Sequence, residues 1–262
     1  NSLQMSVIKN FIGVFGFILT IFITGIPIPD LSWSQLSTLF ISGFIGVGIA
    51  DLLFLGSLRR LGSGLSAIVA TMYSPAIFLF SYLMFGESIS IQSYLGGLLV
   101  ILGIAISTFK VPLTKDKKTI IQGVLFGIIA QILTAYSVLL VKPIMADNSV
   151  IIIALYRFSI GFIFTVFCLG YKYGQIKVFS TFKSGLKNIS IILGAFMGTY
   201  LSVIFWLAGF KYTISGRAAI YNQLSTVIII IMAFLFLKEP MTKKKYLGVI
   251  LSITGALIVS SS

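Results

Sequence analysis

A carboxylate inside an apolar stretch is the group in this 262-residue sequence best placed to do chemistry. Asp51 lies about 15 residues into the apolar run 36–57, which is some 6 Å past the middle of a helix that rises about 1.5 Å per residue. Because a charge in hydrocarbon is costly unless it faces a cavity or a partner, Asp51 predicts a site that couples to protons or cations. Alternatively, Asp51 reaches the interface or bonds a neighbouring hydroxyl. The sequence leaves both interpretations open.

A second polar site is predicted where a proline interrupts an apolar run. Pro75 lies at the centre of the run 64–86, directly after Tyr73 and Ser74. Proline removes a backbone donor and clashes with the preceding turn, so the helix should break or bend and free a carbonyl for water, a hydroxyl or a solute. A packed kink satisfied by serine or threonine is an equally good interpretation.

The run 216–237 carries adjacent amides in an isoleucine-rich segment. Asn222 and Gln223 would be unfavourable in lipid, so they are expected to face the interior, and Thr226 lies four residues from Asn222 on the same helical face. The alternative to solute binding is hydrogen bonding between helices.

Further cavity candidates come from the runs 119–141 and 189–210. Their aromatic side chains could stack on a flat or cationic solute, although packing explains most aromatic residues in a chain with 14% of them. The predicted substrate-binding set is Tyr73, Ser74, Pro75, Gln131, Tyr136, Tyr200, Trp206, Asn222, Gln223 and Thr226, with Asp51 as the ion-coupling candidate.

The sequence contains few residues that could support enzymatic catalysis. The sequence has no histidine and one cysteine, Cys168, and five of its six acids fall in predicted loops, so no acid pair can flank a scissile bond. A phosphate-binding loop of the form G-x-x-x-x-G-K-[ST] is also missing. The sequence therefore predicts neither an enzyme nor a metal site nor a cofactor.

The elements that position these residues are apolar runs long enough to cross a bilayer. Apolar residues make up 58% of the chain and charged residues 10%, which predicts an all-α membrane protein. Nine such runs cover about 7–26, 36–57, 64–86, 91–109, 119–141, 149–171, 189–210, 216–237 and 244–260.

The 19 basic residues mark one side of the membrane rather than a nucleic-acid surface, because they lie between the runs. Fifteen fall on one side, which this bias assigns to the cytoplasm. The predicted location is the cytoplasmic membrane of a prokaryote. Only Lys142, Arg157, Lys211 and Arg217 fall on the other side, where they are expected to snorkel or, for Arg157 and Arg217, to attract an anionic solute.

An internal repeat organises the chain. At an offset of 152 residues, about 43–108 align with 195–260, and an offset of 148 pairs Lys9 with Arg157. Run five has no earlier partner, so the repeat has five spans and its copy is inverted. The sequence predicts a ten-helix 5+5 bundle that lacks its first helix, with repeats at 1–110 and 118–262. Small residues at helical spacing predict close helix contacts: Gly96, Gly103, Gly123, Gly127, Gly194, Gly198 and Ser202.

Short duplicated motifs resemble the EamA-type family of the drug/metabolite transporter superfamily. They are Phe85-Gly86-Glu87-Ser88 with Tyr94-Leu95-Gly96-Gly97, mirrored by Leu237-Lys238-Glu239-Pro240 with Tyr246-Leu247-Gly248, and Ala154-Leu155-Tyr156-Arg157-Phe158. The resemblance implies two inverted halves of five helices, a central cavity and no nucleotide-binding domain. It also implies two cytoplasmic termini, which would place Lys238 to Lys245 outside, whereas the charge count places them inside.

The sequence thus predicts a secondary transporter that moves small metabolites, amino acids or drugs by alternating access, coupled to protons or to exchange. The alternatives are a translocase for lipids or polyprenyl carriers and a membrane scaffold. A scaffold should carry a sizeable soluble domain, and no predicted loop exceeds about 18 residues. The expected partners are a small-molecule substrate and the lipid bilayer, with a homodimer also possible.

Overall fold

A computed structural model describes residues 2–108, 116–237 and 241–260, and these residues form helices without any strand. The motif residues Lys238, Glu239 and Pro240 lie outside the described residues. The helices are α1 Ser2–Thr24, α2 Trp33–Leu61, α3 Ser63–Phe85, α4 Ile91–Thr108, α5 Lys117–Asp147, α6 Val150–Tyr173, α7 Gln175–Gly185, α8 Ile189–Tyr212, α9 Ser215–Leu237 and α10 Lys243–Ser260.

Six of the described helices are long and apolar enough to cross a membrane: α1, α2, α3, α5, α6 and α8. The segment Ile91–Ser107 of α4 is a shorter apolar helix. The expectation of an all-α membrane protein is confirmed. The count of nine or ten spans and the 5+5 repeat stay predictions.

Side-chain caps explain where several helices begin. Ser32 and Gln35 form a reciprocal capping box at the start of α2. Ser149 and Asn188 accept backbone hydrogen bonds at the starts of α6 and α8. These bonds satisfy N–H groups that a helix leaves without partners in its first turn.

The chain divides into two compact units. Unit 1 comprises Asn1–Leu55 and Tyr136–Tyr212, and unit 2 comprises Gly56–Ala135 and Thr213–Ser262. Helices α2 and α5 therefore contribute to both units. Each unit takes helices from both predicted repeats, so the compact units do not coincide with the repeat boundaries 1–110 and 118–262, which stay a prediction.

In unit 1, glycines bring α2 close to α6. The segment Gly43–Ala50 of α2 is a π-helix between two α-helical parts. A Cβ at Gly43 would lie 2.9 Å from the Cα of Arg157, and one at Gly48 would lie 2.8 Å from the ring of Phe164. Only glycine allows the two backbones to approach this closely.

The short helix α7 was not expected from the sequence, which predicted a loop between runs six and seven. Val178 and Phe182 pack with Val7 and Leu169, and Phe182 also stacks edge-to-face on Phe11 at 5.2 Å. The spacing of Val178, Phe182 and the buried Gly185 is helical. With 11 residues, two of them lysines, the segment lacked the length and hydrophobicity of a span.

In unit 2, α4 and α10 pack backbone against backbone. A Cβ at Gly103 would lie 2.9 Å from the backbone nitrogen of Ser252, and one at Gly255 would lie 2.9 Å from that of Val100. The Ser252 hydroxyl donates to the Val100 carbonyl at 3.3 Å. The predicted close contact at Gly103 is confirmed, and Gly96 lies equally close to Gly255.

The predicted glycine contacts hold on α5 but not on α8. A Cβ at Gly123 would meet Leu61 at 2.7 Å, and one at Gly127 would meet Val69 at 2.5 Å. At Gly194 and Gly198, however, no described atom lies within 4 Å of that position. The prediction was wrong there, because glycine spacing permits a close approach but does not require a partner.

Helix α3 is interrupted as predicted. Its parts Ser63–Ala70 and Tyr73–Phe85 meet at a turn, where the Ser74 N–H donates to the Thr71 carbonyl at 3.2 Å. In a regular helix that N–H would bond Ala70, so the Ala70 carbonyl is freed. Gln223 of α9 donates its Nε2 to that carbonyl at 3.2 Å and to the Ser74 hydroxyl at 3.3 Å. The Gln223 side-chain amide therefore supplies a hydrogen bond to the carbonyl that the interruption of α3 leaves free.

Replacing Gly103 tests the α4–α10 contact. Gly103→Ala is expected to lower the free energy of unfolding by about 1–3 kcal/mol, because the added methyl overpacks a backbone contact. Titration of the purified protein with SDS measures the change. The matched control is Gly194→Ala, which faces open space and should leave stability unchanged or raise it by less than about 1 kcal/mol. Equal effects of the two substitutions would contradict the packing.

Replacing Gln223 tests whether its side-chain amide stabilises the interruption of α3. Gln223→Leu is expected to cost about 1–3 kcal/mol, since the buried Ala70 carbonyl would lose its partner. Asn222→Leu is the control, because the neighbouring amide is exposed. Thermal unfolding in detergent compares the two variants, and an intact melting temperature for Gln223→Leu would show that another group satisfies Ala70.

Candidate functional site

Asp51 of α2 forms an ion pair with Lys9 of α1. Lys9 lies 15 residues from Thr24 and Asp51 lies 18 residues from Trp33, or about 22 Å and 27 Å along helices that rise 1.5 Å per residue. The two helices are joined by the loop between Thr24 and Trp33, so the comparable lengths bring the charges to the same level. The pair lies well inside two membrane-spanning helices.

Local packing positions both charges. Asp51 follows directly on the π-helical segment whose glycines pack against α6. On the other side of the pair, the Lys9 ammonium lies 5.9 Å from the ring centroid of Phe158 on α6, within the range of a cation–π contact. The Lys9 and Asp51 side chains remain 19% and 27% exposed. The charges are therefore paired without being fully buried in protein.

The pair differs from the sequence-based alternatives for Asp51, which were an isolated coupling carboxylate, reach to the interface or a bond to a hydroxyl. The partner is a lysine that the sequence placed among the topology-determining charges. The position of Lys9 within the apolar run 7–26 was the signal that could have identified it, because a cation there also needs a partner.

Arg157 is a second cation inside unit 1. Its side chain is only 1% exposed, its Nη2 donates to the Ser137 hydroxyl at 3.1 Å, and its guanidinium lies 5.4 Å from the Trp206 ring. The expectation that Arg157 snorkels to the interface was wrong. The close approach of α2 at Gly43 and the contacts to Ser137 and Trp206 hold the guanidinium inside the bundle.

Asn10 is a further buried polar residue that sequence reasoning missed. It neighbours Lys9 on α1 and is fully buried, and its Nδ2 donates to the Ser6 hydroxyl at 3.4 Å. Its Oδ1 has no hydrogen-bond partner among the described residues. Unit 1 thus concentrates polar groups on the faces of α1, α2 and α6 that pack together.

Two of the three aromatic candidates of unit 1 make polar contacts. The Tyr200 hydroxyl is hydrogen-bonded to the Thr20 hydroxyl at 2.6 Å, and its ring packs on Phe17 with centroids 5.4 Å apart. Trp206 lies against Arg157, and Tyr136 is half-buried. Tyr200 and Trp206 therefore each combine an aromatic surface with a polar contact.

In unit 2 the structure brings together only some of the predicted residues. Gln223 and Ser74 are buried and bonded to each other, and Tyr73 is buried beside them on α3. The other candidates differ: Pro75 and Asn222 are exposed, and Gln131 and Thr226 are half-buried. Neighbouring amides on α9 thus have different surroundings, since Gln223 is bonded to α3 and Asn222 is exposed.

Metal binding finds no support in this arrangement. Among the residues that the structure describes, no group of three or more His, Cys, Asp or Glu side chains is placed to hold an ion. The polar region of unit 1 contains two cations, one carboxylate, an amide and hydroxyls. Such a set offers hydrogen-bonding groups and charges of both signs.

Comparison with known proteins identifies the family. The sequence profile of the EamA-like transporter family matches residues 1–109 and again residues 121–261, nearly the whole chain. No curated protein matches the sequence. A solved crystal structure of a protein with 13% sequence identity superposes with a TM-score of 0.79, covering 99% of this chain and 89% of that one. This likeness shows a shared fold.

The helical membrane fold, the charged pair inside it and the double match to one family are all consistent with a membrane transporter. That family is a family of transporters rather than enzymes. The chain belongs to the EamA-like transporter family and is a membrane protein of the drug/metabolite transporter superfamily.

Proposed function

We infer that this protein is a secondary transporter that moves small metabolites, amino acids or drugs across the cytoplasmic membrane of a prokaryote by alternating access. Family membership supports the class of function. The Lys9–Asp51 ion pair inside the membrane-spanning helices is the observation that carries the coupling mechanism. The proposed drive is a proton gradient, with an exchanged solute as the other source of energy.

Proton binding to Asp51 would change the balance of charge in unit 1. With the carboxylate ionised, Lys9 and Asp51 neutralise each other and hold α1 against α2. With the carboxylate protonated, Lys9 would lose the negative charge that compensates it, and leaving a cation uncompensated inside a protein is strongly unfavourable. The helices would then favour a different arrangement.

Such a two-state element can couple a gradient to transport. A proton shifts a conformational equilibrium by its differential affinity for the two states, and the solute must likewise bind the two states unequally. The Asp51 side chain is 27% exposed, so the protein does not enclose the carboxylate completely. The predicted 5+5 inverted repeat would permit alternating access, because inverted halves can exchange conformations.

The proposed solute contacts follow the candidate residues within each unit. In unit 1, Tyr136, Tyr200 and Trp206 would contact a flat or apolar part of a solute. In unit 2, the exposed Asn222 with Thr226 would offer hydrogen bonds, whereas Gln223 is already bonded to Ala70 and Ser74.

Removing the carboxylate tests the coupling. Asp51→Asn in proteoliposomes is expected to reduce uptake driven by a pH gradient at least tenfold, while exchange of internal for external solute continues, because the amide keeps the shape but binds no proton. Radiolabelled solutes chosen from a metabolite panel by thermal stabilisation of the wild type provide the measurement. Gradient-driven uptake at the wild-type rate would refute the coupling role of Asp51.

A double variant separates coupling from stability. Lys9→Met combined with Asp51→Asn removes both charges, and replacing an intramembrane pair by neutral groups is often neutral or stabilising. The double variant should therefore unfold at or above the wild-type temperature and still fail to respond to the gradient. Lys9→Met alone and Asp51→Asn alone should each be less stable than the double variant, since each leaves one member of the pair uncompensated. A double variant that concentrates solute with the gradient would disprove the mechanism.

A further inference from the structure

The helix α7 lies at the edge of the bilayer. It joins α6 to α8, both of which are long and apolar enough to span a membrane. Gly174, with φ of 80°, turns the chain at one end of α7, and Asn188 caps the next helix shortly after the other end. A connector this short must lie where the two spans leave the hydrocarbon.

One face of α7 is fixed to unit 1. Val178 packs with Val7 and Leu169, and the Gln4 amide donates to the Thr181 hydroxyl at 3.0 Å. Gly185 lies against Ile8, where an added Cβ would meet the side chain at 2.6 Å. These contacts fix the orientation of α7. The face on the other side of the helix is therefore turned away from the contacts with α1 and α6.

The opposite face presents large apolar side chains. Ile176 and Phe179 are 88% and 81% exposed, and they lie three residues apart on the same side of the helix. Tyr171, at the end of α6, is exposed beside them in the sequence. Apolar and aromatic side chains turned outward at this level are typical of a helix that lies in the membrane interface.

Lysines accompany this apolar face without any acid. Lys172, Lys177, Lys183 and Lys187 are exposed, and the sequence from 148 to 237 contains neither aspartate nor glutamate. Lys183 follows Phe179 by one helical turn, and a lysine stem can lie along apolar surface while its ammonium reaches the headgroups. An anionic partner at the same depth in the membrane would compensate the positive charge of these lysines.

We propose that α7, with the flanking Lys172 and Lys187, binds anionic phospholipid headgroups while Ile176 and Phe179 insert among the acyl chains. Charge complementarity identifies the occupant, because headgroups supply negative charge at the level where the lysines lie. The inference is independent of the transported solute and of the coupling at Asp51.

Native mass spectrometry of the full chain, titrated in detergent with phosphatidylglycerol or phosphatidylcholine, tests the proposal. Substituting all four lysines by glutamine is expected to weaken phosphatidylglycerol binding at least tenfold, since each lysine near the surface contributes roughly fivefold. Phosphatidylcholine binding should not change, and substitution of the four lysines by arginine should retain the preference for phosphatidylglycerol. Wild-type binding by the glutamine variant would overturn the proposal.

Two further experiments identify the bound molecule and the location of its binding site. Glycerol 3-phosphate, which carries the same anionic chemistry without acyl chains, should not bind, and binding equal to that of the lipid would show a site for soluble phosphates instead. Lys243→Gln with Lys244→Gln and Lys245→Gln removes charge at the start of α10 and should leave most phosphatidylglycerol binding intact. An equal loss in that variant would show that net charge, not α7, attracts the lipid.

Discussion

Every charge and backbone polar group inside the membrane-spanning helices must find its partner within the protein, because hydrocarbon offers none. The Lys9–Asp51 pair, the Arg157 contacts to Ser137 and Trp206, and the Gln223 bond to the Ala70 carbonyl all satisfy this constraint. In each case a side chain from one helix completes a group on another. Polar groups thereby determine which helices must stay together.

Close packing makes those bonds attainable. Hydrophobic burial drives little association between helices in lipid, so contact depends on van der Waals packing and hydrogen bonds. Gly43 and Gly48 let α2 approach α6, and Gly103 lets α4 approach α10. Once the backbones are close, short side chains such as Ser137 and Ser252 can reach their partners. Close packing of the backbones is therefore what allows the polar groups to form their hydrogen bonds.

The two predicted repeats treat equivalent cations differently. Lys9 aligns with Arg157, but Asp51 aligns with Val203, which is buried. Lys9 therefore has a carboxylate on the neighbouring helix, whereas Arg157 is held by the Ser137 hydroxyl and lies over the Trp206 ring. The two predicted repeats are therefore not chemically equivalent at this position.

The sequence by itself determined the helical membrane class, the interruption of α3 before Pro75 and the family, because hydropathy over some 20 residues, a proline and repeated motifs are local signals. Only the tertiary structure decided that Lys9 is the partner of Asp51, that Arg157 is buried, that Gly194 contacts no described neighbour and that residues 175–185 form a docked helix. Those outcomes depend on which helix faces lie together. Such relations join residues far apart in the chain, so no pattern within a single run contains them.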